Sequence, residues 1–275
     1  MVQLPTPVNA TKTLLDRLEF PQRRSNTIAM STIGDECARK LWFNLHWVGE
    51  VGAITARVKN LFSTGTRAED FIIKDLEHIG IIIKNRQEEL WGFMDHAHGF
   101  TDGTADNVPD APKTTHLLEI KTHNDRNFTK LVKEGVENGF PVHYAQVQRY
   151  MKGTGLTRCL YVGYNKNTSE YYIERIRYNA GFANDLIRKE RDIIMSEDPP
   201  KRVFERSWYG CKFCQYSENC YDQKPVSKNC RTCQHSDLAP EGKWLCAHPS
   251  MNVLVTIPIE IQRIGCDSHM PIGIE

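Results

Sequence analysis

No stretch of the 275 residues approaches the roughly eighteen consecutive apolar positions that a membrane span needs. The opening residues, MVQLPTPVNATK, lack a basic region followed by an apolar core, so neither insertion nor secretion is expected. The phosphate-cradling pattern GxxxxGK[ST] is missing as well, which excludes a nucleotide-driven motor within this sequence. Internal repeats and low-complexity tracts are not evident. Charge of one sign is also scarce in net terms: 35 Lys and Arg stand against 34 Asp and Glu. Any affinity for a polyanion must therefore come from a local strip rather than from the whole molecule.

The length suggests about two domains, and 40% hydrophobic residues suffice for one sizeable core. Nine cysteines, an odd number gathered in metal-like spacings, fit a reducing compartment better than a disulfide framework, so a cytoplasmic protein is expected. Patterning predicts a mainly helical stretch over 9–47, with Leu14, Leu15 and Leu18, then Leu41, Trp42 and Leu45, as apolar stripes expected in the core. Strands are predicted at 81–93, 98–108, 114–122, 157–164 and 169–176, with helices at 126–136, 142–151 and 178–196. The expected fold class is α/β, a mixed central sheet flanked by helices. Three segments are expected: 1–60, mainly helical; 61–228, the core; and 229–275, a small C-terminal module.

Chemistry concentrates in two of these strands. Asp102, followed by Gly103, lies in HGFTDGTADNV, and seventeen residues later TTHLLEIKT carries Glu119, Ile120 and Lys121. Side chains alternate across a strand, so Glu119 and Lys121 share one face while Leu118 and Ile120 take the other. Two carboxylates and the Ile120 carbonyl are the hard oxygen ligands that Mg2+ or Mn2+ prefers, and Lys121 adds a compact charge able to orient water or stabilise charge on phosphorus. Without further context such a pattern reads more readily as a strand pair with a surface ion pair than as a metal site.

A helix is predicted from Thr64 to Ile79, with Thr64 as N-cap, Gly80 as the stop and Phe71, Ile72, Leu76 and Ile79 as its apolar face. Glu69 is the preferred third ligand and Asp70 its rival, because neighbours on a helix point about 100° apart. Farther on, VHYAQVQRYM places Gln146 and Tyr150 on one helical face. No acid occurs between Asn138 and Ser169, whereas Arg149, Lys152, Arg158 and Lys166 do. This local basic strip suits a phosphate backbone, with Gln146, Arg149, Tyr150 and Lys152 as candidate DNA contacts.

With GTRAE at Gly65 to Glu69, FTDG at Phe100 to Gly103, EIK at Glu119 to Lys121 and QVQRY at Gln146 to Tyr150, the chain resembles the PD-(D/E)XK nuclease superfamily, in particular its RecB-like branch. The resemblance implies a restriction-endonuclease-like core, metal ligation by Glu69, Asp102 and Glu119, a catalytic role for Lys121, and DNA contact near Gln146 and Tyr150. Many relatives carry histidine where this chain has Glu69.

The cysteines extend the comparison. Cys211, Cys214 and Cys220 in GCKFCQYSENC, with Cys37 far upstream, make a set of four. The arrangement is similar to the iron-sulfur RecB-like nucleases, including the small CRISPR-associated exonucleases and AddB-type domains. That similarity implies a [4Fe-4S] clip joining the first helices to the segment after the core, although thiolates also suit zinc. A second set, Cys230, Cys233, Cys246 and Cys266, has the four thiolates of a closed zinc site, with His235, His248 and His269 as substitutes. Cys159 is left over as an ordinary buried thiol.

The expected function is a stand-alone, metal-dependent DNA exonuclease acting on ends, preferentially of single strands, in recombination, end processing or phage DNA metabolism. A recombination or helicase protein is a compatible partner. The rivals are a structure-specific or nicking endonuclease on the same core and a nonhydrolytic DNA-end binding or adaptation factor.

Overall fold

The computed structural model describes residues 9–22 and 24–274. The first eight residues, read above as carrying no leader, lie outside that range. Five strands build the central sheet: β1 (Ile82–Lys84), β2 (Gly103–Asp106), β3 (His116–His123), β4 (Arg158–Asn165) and β5 (Tyr171–Arg177), in the spatial order β5-β4-β3-β2-β1. Only β3 and β4 pair in parallel, with Glu119 beside Tyr161 and Lys121 beside Gly163; the other pairings are antiparallel. A parallel pair needs a crossover. Helices α3 (Asp125–Gly139) and α4 (Pro141–Thr154) supply it, beginning respectively at an Asn124 cap on the Asn127 amide and at a first-turn proline.

Alternation along β3 divides the interior in two. Leu118 and Ile120 pack with Ala68, Ile72, Ile73 and Leu76 of α2 (Ala56–His78). Leu117 faces the larger cluster, with Leu41, Trp42 and Leu45 of α1 (Ala38–His46), Val147 and Tyr150 of α4, and Leu186 and Ile193 of α5 (Ala180–Met195). Each fully buried large apolar side chain contributes about 1.5–3 kcal/mol, so both faces of β3 are strongly fixed in register.

Several expectations need correction. The α2 helix starts at Ala56, not at Thr64: Thr55 caps the Val58 amide, while Thr64 sits inside the helix and returns its hydroxyl to the Asn60 carbonyl. Gly80 does stop it, with φ at +88°. The predicted 81–93 and 98–108 strands each break in two, and the halves join different sheets. Ala97–Phe100 pairs with Glu89–Trp91 on one side and with Ile28–Ala29 on the other, leaving Asp102 at the break rather than within a strand. The N-terminal stretch is less helical than expected, since short strands at Glu19–Phe20 and Ile28–Ala29 separate the Asn9–Asp16 helix from α1. Leu14, Leu15 and Leu18 are exposed, Leu14 by 67%, because among the described residues nothing packs over them.

Residues beyond 229 form a three-stranded antiparallel sheet, Ser236–Ala239, Lys243–Cys246 and Val255–Thr256, whose Trp244 enters the larger core. Arg231 is held between the rings of Trp47 at 3.8 Å and Trp244 at 4.8 Å and donates to the carbonyls of Asn26 and Leu45. Among the described residues, no helix is long and apolar enough to cross a membrane.

Candidate active site

The break between Phe100 and Gly103 brings Asp102 to β3. Gly103 has φ at +140°, and a Cβ there would lie 2.8 Å from the Lys84 carbonyl, so β2 can turn against β1 only with glycine at this point. Asp102 Oδ2 then accepts the Ile120 amide at 2.7 Å. One strand face presents Glu119, Lys121 and His123 in succession. Glu119 is 0% exposed, and Lys121 Nζ stands 2.6 Å from its Oε1. That close charge contact lacks hydrogen-bond geometry, and neither Glu119 oxygen has any hydrogen-bond donor.

Burial, then the neighbouring Glu119 carboxylate, pushes the Asp102 pKa up to about 8 against the pull of Lys121 and the Ile120 amide. Burial likewise raises Glu119, with Lys121 opposing it. Burial alone would lower Lys121, but Glu119 and Asp102 together raise it. The ammonium is thus held in its charged form by the two acids.

Helix α2 supplies Glu69, whose Oε1 accepts from Gln87 Nε2 and from Arg86 Nη2, each at 3.3 Å. Asp70, the rival, is exposed and tied to Arg86 at 2.9 Å outside the cleft. An open cleft of about 570 Å³ is lined by Glu69, Asp102, Ile120 and Lys121, with Thr66, His123, Phe140 and His143 also in its wall. Glu69, Asp102 and Lys121 thus share the cleft, with Glu119 buried behind Lys121, while Asp70 lies outside it.

The expected DNA contacts are mostly displaced. Arg149 is 3% exposed and makes a two-point ion pair with Glu190 of α5, at 2.7 and 3.1 Å. Its guanidinium is committed inside the core, so the expectation of a phosphate contact at this residue is corrected. Gln146 and Tyr150 are buried as well, on the α4 face packed toward the sheet. A Cβ at position 99 would meet the Tyr150 hydroxyl at 2.7 Å, so that hydroxyl lies against the Ala97–Phe100 strand leading into Asp102. Both side chains back the acid site instead of facing solvent. Lys152 and Lys166 remain exposed.

His123 and His143 were missed by the sequence reading. His123 could have been found as the next residue of the same parity after Glu119 and Lys121; His143, arriving from α4, carried no such signal.

Among the described residues, no three His, Cys, Asp or Glu side chains stand arranged to hold a metal ion. The donor chemistry nevertheless fits a hard cation: a buried carboxylate with two donor-free oxygens is costly alone, and a bound divalent ion would compensate it. The cysteines of each expected set feel one another electrostatically, without forming an arrangement that would hold a metal among the described residues. Cys37 is raised first by burial, with Cys214 and Cys211 adding, and Cys220 feels Cys37 and Cys211. Cys230 is pushed up to about 11 by burial, then by Cys266, Cys233 and Cys246. Cys159 is buried in β4, apart from both sets.

No family model matches the chain, and no curated protein does. Among solved structures, the alkaline exonuclease LHK-Exo from Laribacter hongkongensis is 17% identical, covering 62% of this chain and 87% of that chain, with a TM-score of 0.46. The complex of LHK-Exo with dAMP gives a TM-score of 0.47 at the same identity and coverage. A phage related exonuclease from Haemophilus somnus 129PT is 16% identical over 48% of this chain and 67% of its own, with a TM-score of 0.33. Likeness this weak carries no chemistry; the site has to supply it.

Proposed function

We propose that this chain is a divalent-metal-dependent deoxyribonuclease that hydrolyses phosphodiester bonds from DNA ends, a single strand entering the cleft. The observation that carries the proposal is the Glu119 carboxylate, fully buried with neither oxygen given a hydrogen-bond donor, behind the Lys121 and Asp102 that line the cleft. A structural ion pair needs no second acid pressed against it, and an ordinary buried acid would be hydrogen-bonded.

Mg2+ or Mn2+ held by Glu69, Asp102, Glu119 and the Ile120 carbonyl would supply Lewis acidity and a bound water of lowered pKa. The protein's own part is positioning. The Ile120 amide fixes Asp102, and Gln87 and Arg86 fix Glu69 from the β1 side. Lys121, its ammonium favoured chiefly by the adjoining Glu119, offers its charge to a phosphoryl oxygen as negative charge grows there. The finer assignments are an iron-sulfur cluster at Cys37, Cys211, Cys214 and Cys220, and zinc at Cys230, Cys233, Cys246 and Cys266.

The test is digestion of end-labelled linear and circular DNA, single and double stranded, by anaerobically purified protein with Mg2+ or Mn2+. Linear single strands are expected to be degraded and closed circles spared. Equal cutting of circles would favour an endonuclease, and no cutting by protein that retains its metals would remove the hydrolytic reading.

A further inference from the structure

The cleft holds two histidines that the proposed chemistry does not use, and one buried hydroxyl joins them. Tyr161 of β4 is fully buried beside Glu119 in the sheet register. Its hydroxyl lies 2.9 Å from His143 Nδ1 and 3.2 Å from His123 Nε2. Both rings line the cleft that contains Lys121. His143 is further fixed by stacking on Phe140, with centroids 5.2 Å apart and planes 15° from parallel.

Building on the nuclease reading, we propose that His143, anchored through Nδ1 by Tyr161, is a catalytic hydrogen-bond donor whose Nε2–H contacts a phosphoryl oxygen of the scissile diester. The hydroxyl of Tyr161 has one proton, so with two neutral rings it donates to one and accepts from the other. In one arrangement Tyr161 donates to His143 Nδ1 and accepts from His123 Nε2–H, which leaves the proton of His143 on Nε2. In the other, His143 Nδ1–H donates to Tyr161 and Nε2 carries a lone pair. A phosphodiester offers acceptors only, so its arrival selects the first arrangement.

Neutrality of both rings has a physical cause. Burial, then the Lys121 ammonium, lowers His143 to about 3, and burial followed by Lys121 and Lys166 lowers His123 to about 4. A neutral donor beside Lys121 adds a directed hydrogen bond without a second cation repelling the first. No proton is transferred; the donor strengthens its bond as charge develops on the oxygen. Tyr161 and His123 act through His143 and are positioning residues.

The test uses full-length protein with metals retained and single-stranded DNA carrying a phosphorothioate of defined configuration at the cleaved position. His143→Phe keeps the stacking on Phe140 and removes the donor; His143→Gln replaces the Nε2 donor with an amide. Expected results are a fall in kcat of tenfold or more for His143→Phe with KM little changed, partial recovery in His143→Gln, and a smaller fall for Tyr161→Phe. His143→Phe should also lose part of the wild-type discrimination between phosphorothioate diastereomers, equally in Mg2+ and Mn2+, which a merely structural defect would not do. A folded His143→Phe with unchanged kcat and unchanged discrimination overturns the inference while leaving the nuclease reading intact. A wild-type protein that leaves DNA uncut overturns both.

Discussion

Lys121 Nζ stands 2.6 Å from Glu119 Oε1, yet the carboxylate is sealed from solvent while the ammonium lines the cleft. The relationship is asymmetric: Lys121, with 27% of its side chain exposed, can meet a ligand in the cleft, whereas Glu119 has no other donor to turn to. Glu119→Gln, Asp102→Ala and Lys121→Ala are each expected to lower DNA hydrolysis by about a hundredfold or more, since each removes a ligand or the charge aimed at phosphorus. Mg2+ should raise the melting temperature of the wild type and leave that of Glu119→Gln nearly unchanged. Near-wild-type hydrolysis by two of the three variants, measured on folded protein, would falsify the site assignment.

The Arg149–Glu190 pair ties α4 to α5, and Glu190 Oε1 also accepts the Phe93 amide at 2.8 Å. Removing one partner leaves the other charged and buried, so Arg149→Ala should destabilise the fold by about 3–5 kcal/mol in urea denaturation. Arg149→Met combined with Glu190→Leu should lose less. Lys152→Ala, by contrast, should leave stability unchanged and weaken DNA binding, with a shallower dependence on salt. Arg149→Ala with wild-type stability would show that the buried pair does not hold these helices together.

Much of this was legible from β3. Glu119 and Lys121 follow from alternation alone, and the LLEIKT run fixed both faces of the sheet because two cores compete for Leu117 and Leu118. Burial of Arg149 was not legible. Its partner Glu190 lies 41 residues away on another helix, and a basic residue on an amphipathic helix reads as solvated until the facing acid is placed. The exposed Leu14 has the converse cause: periodicity marks an apolar face but not whether anything packs on it. The break at Asp102 was hidden because Gly103 sits inside an otherwise continuous strand pattern, and only the turn toward β1 ends the pairing.

Stability should peak near pH 6.5 when metal is removed. His46, His123 and His143 are pushed down to about 3, 4 and 3 by burial, against about 6.5 when unfolded. Between those values the unfolded chain binds more protons, so these groups contribute stability that is lost as pH falls below about 6.5. Asp102 acts in the opposite sense. Raised to about 8, it binds a proton in the fold that the unfolded chain releases near pH 4, and its contribution disappears as pH rises toward 8. The three histidines outweigh the two raised carboxyls, Asp102 and Glu119, on the acid side, at about 1.4 kcal/mol per proton per pH unit. Urea melts in chelator at pH 5, 6.5 and 8 test this: His46→Phe should flatten the acid limb and Asp102→Asn the alkaline one. A wild-type curve rising steadily from pH 6.5 to 8 contradicts the placement of Asp102.

The two cysteine sets should answer differently to substitution because they join different parts of the chain. Cys37 precedes α1, whereas Cys211, Cys214 and Cys220 follow α5, so a cluster there closes a loop of more than 170 residues. Cys230, Cys233, Cys246 and Cys266 all lie within the last 46 residues, whose Trp244 and Arg231 already anchor the segment to the core. Cys37→Ala should therefore abolish the brown colour expected of anaerobic protein and lower the melting temperature of the whole molecule. Cys246→Ala should release one equivalent of zinc, leave the colour, and loosen the C-terminal strands with little effect on the central sheet, as hydrogen exchange can resolve. Elemental analysis finding two zinc ions and no iron would replace the cluster with a second zinc site. Loss of both metals on either substitution would mean that the two sets fold as one unit, coupled through the packing of Trp244 against His46 of α1.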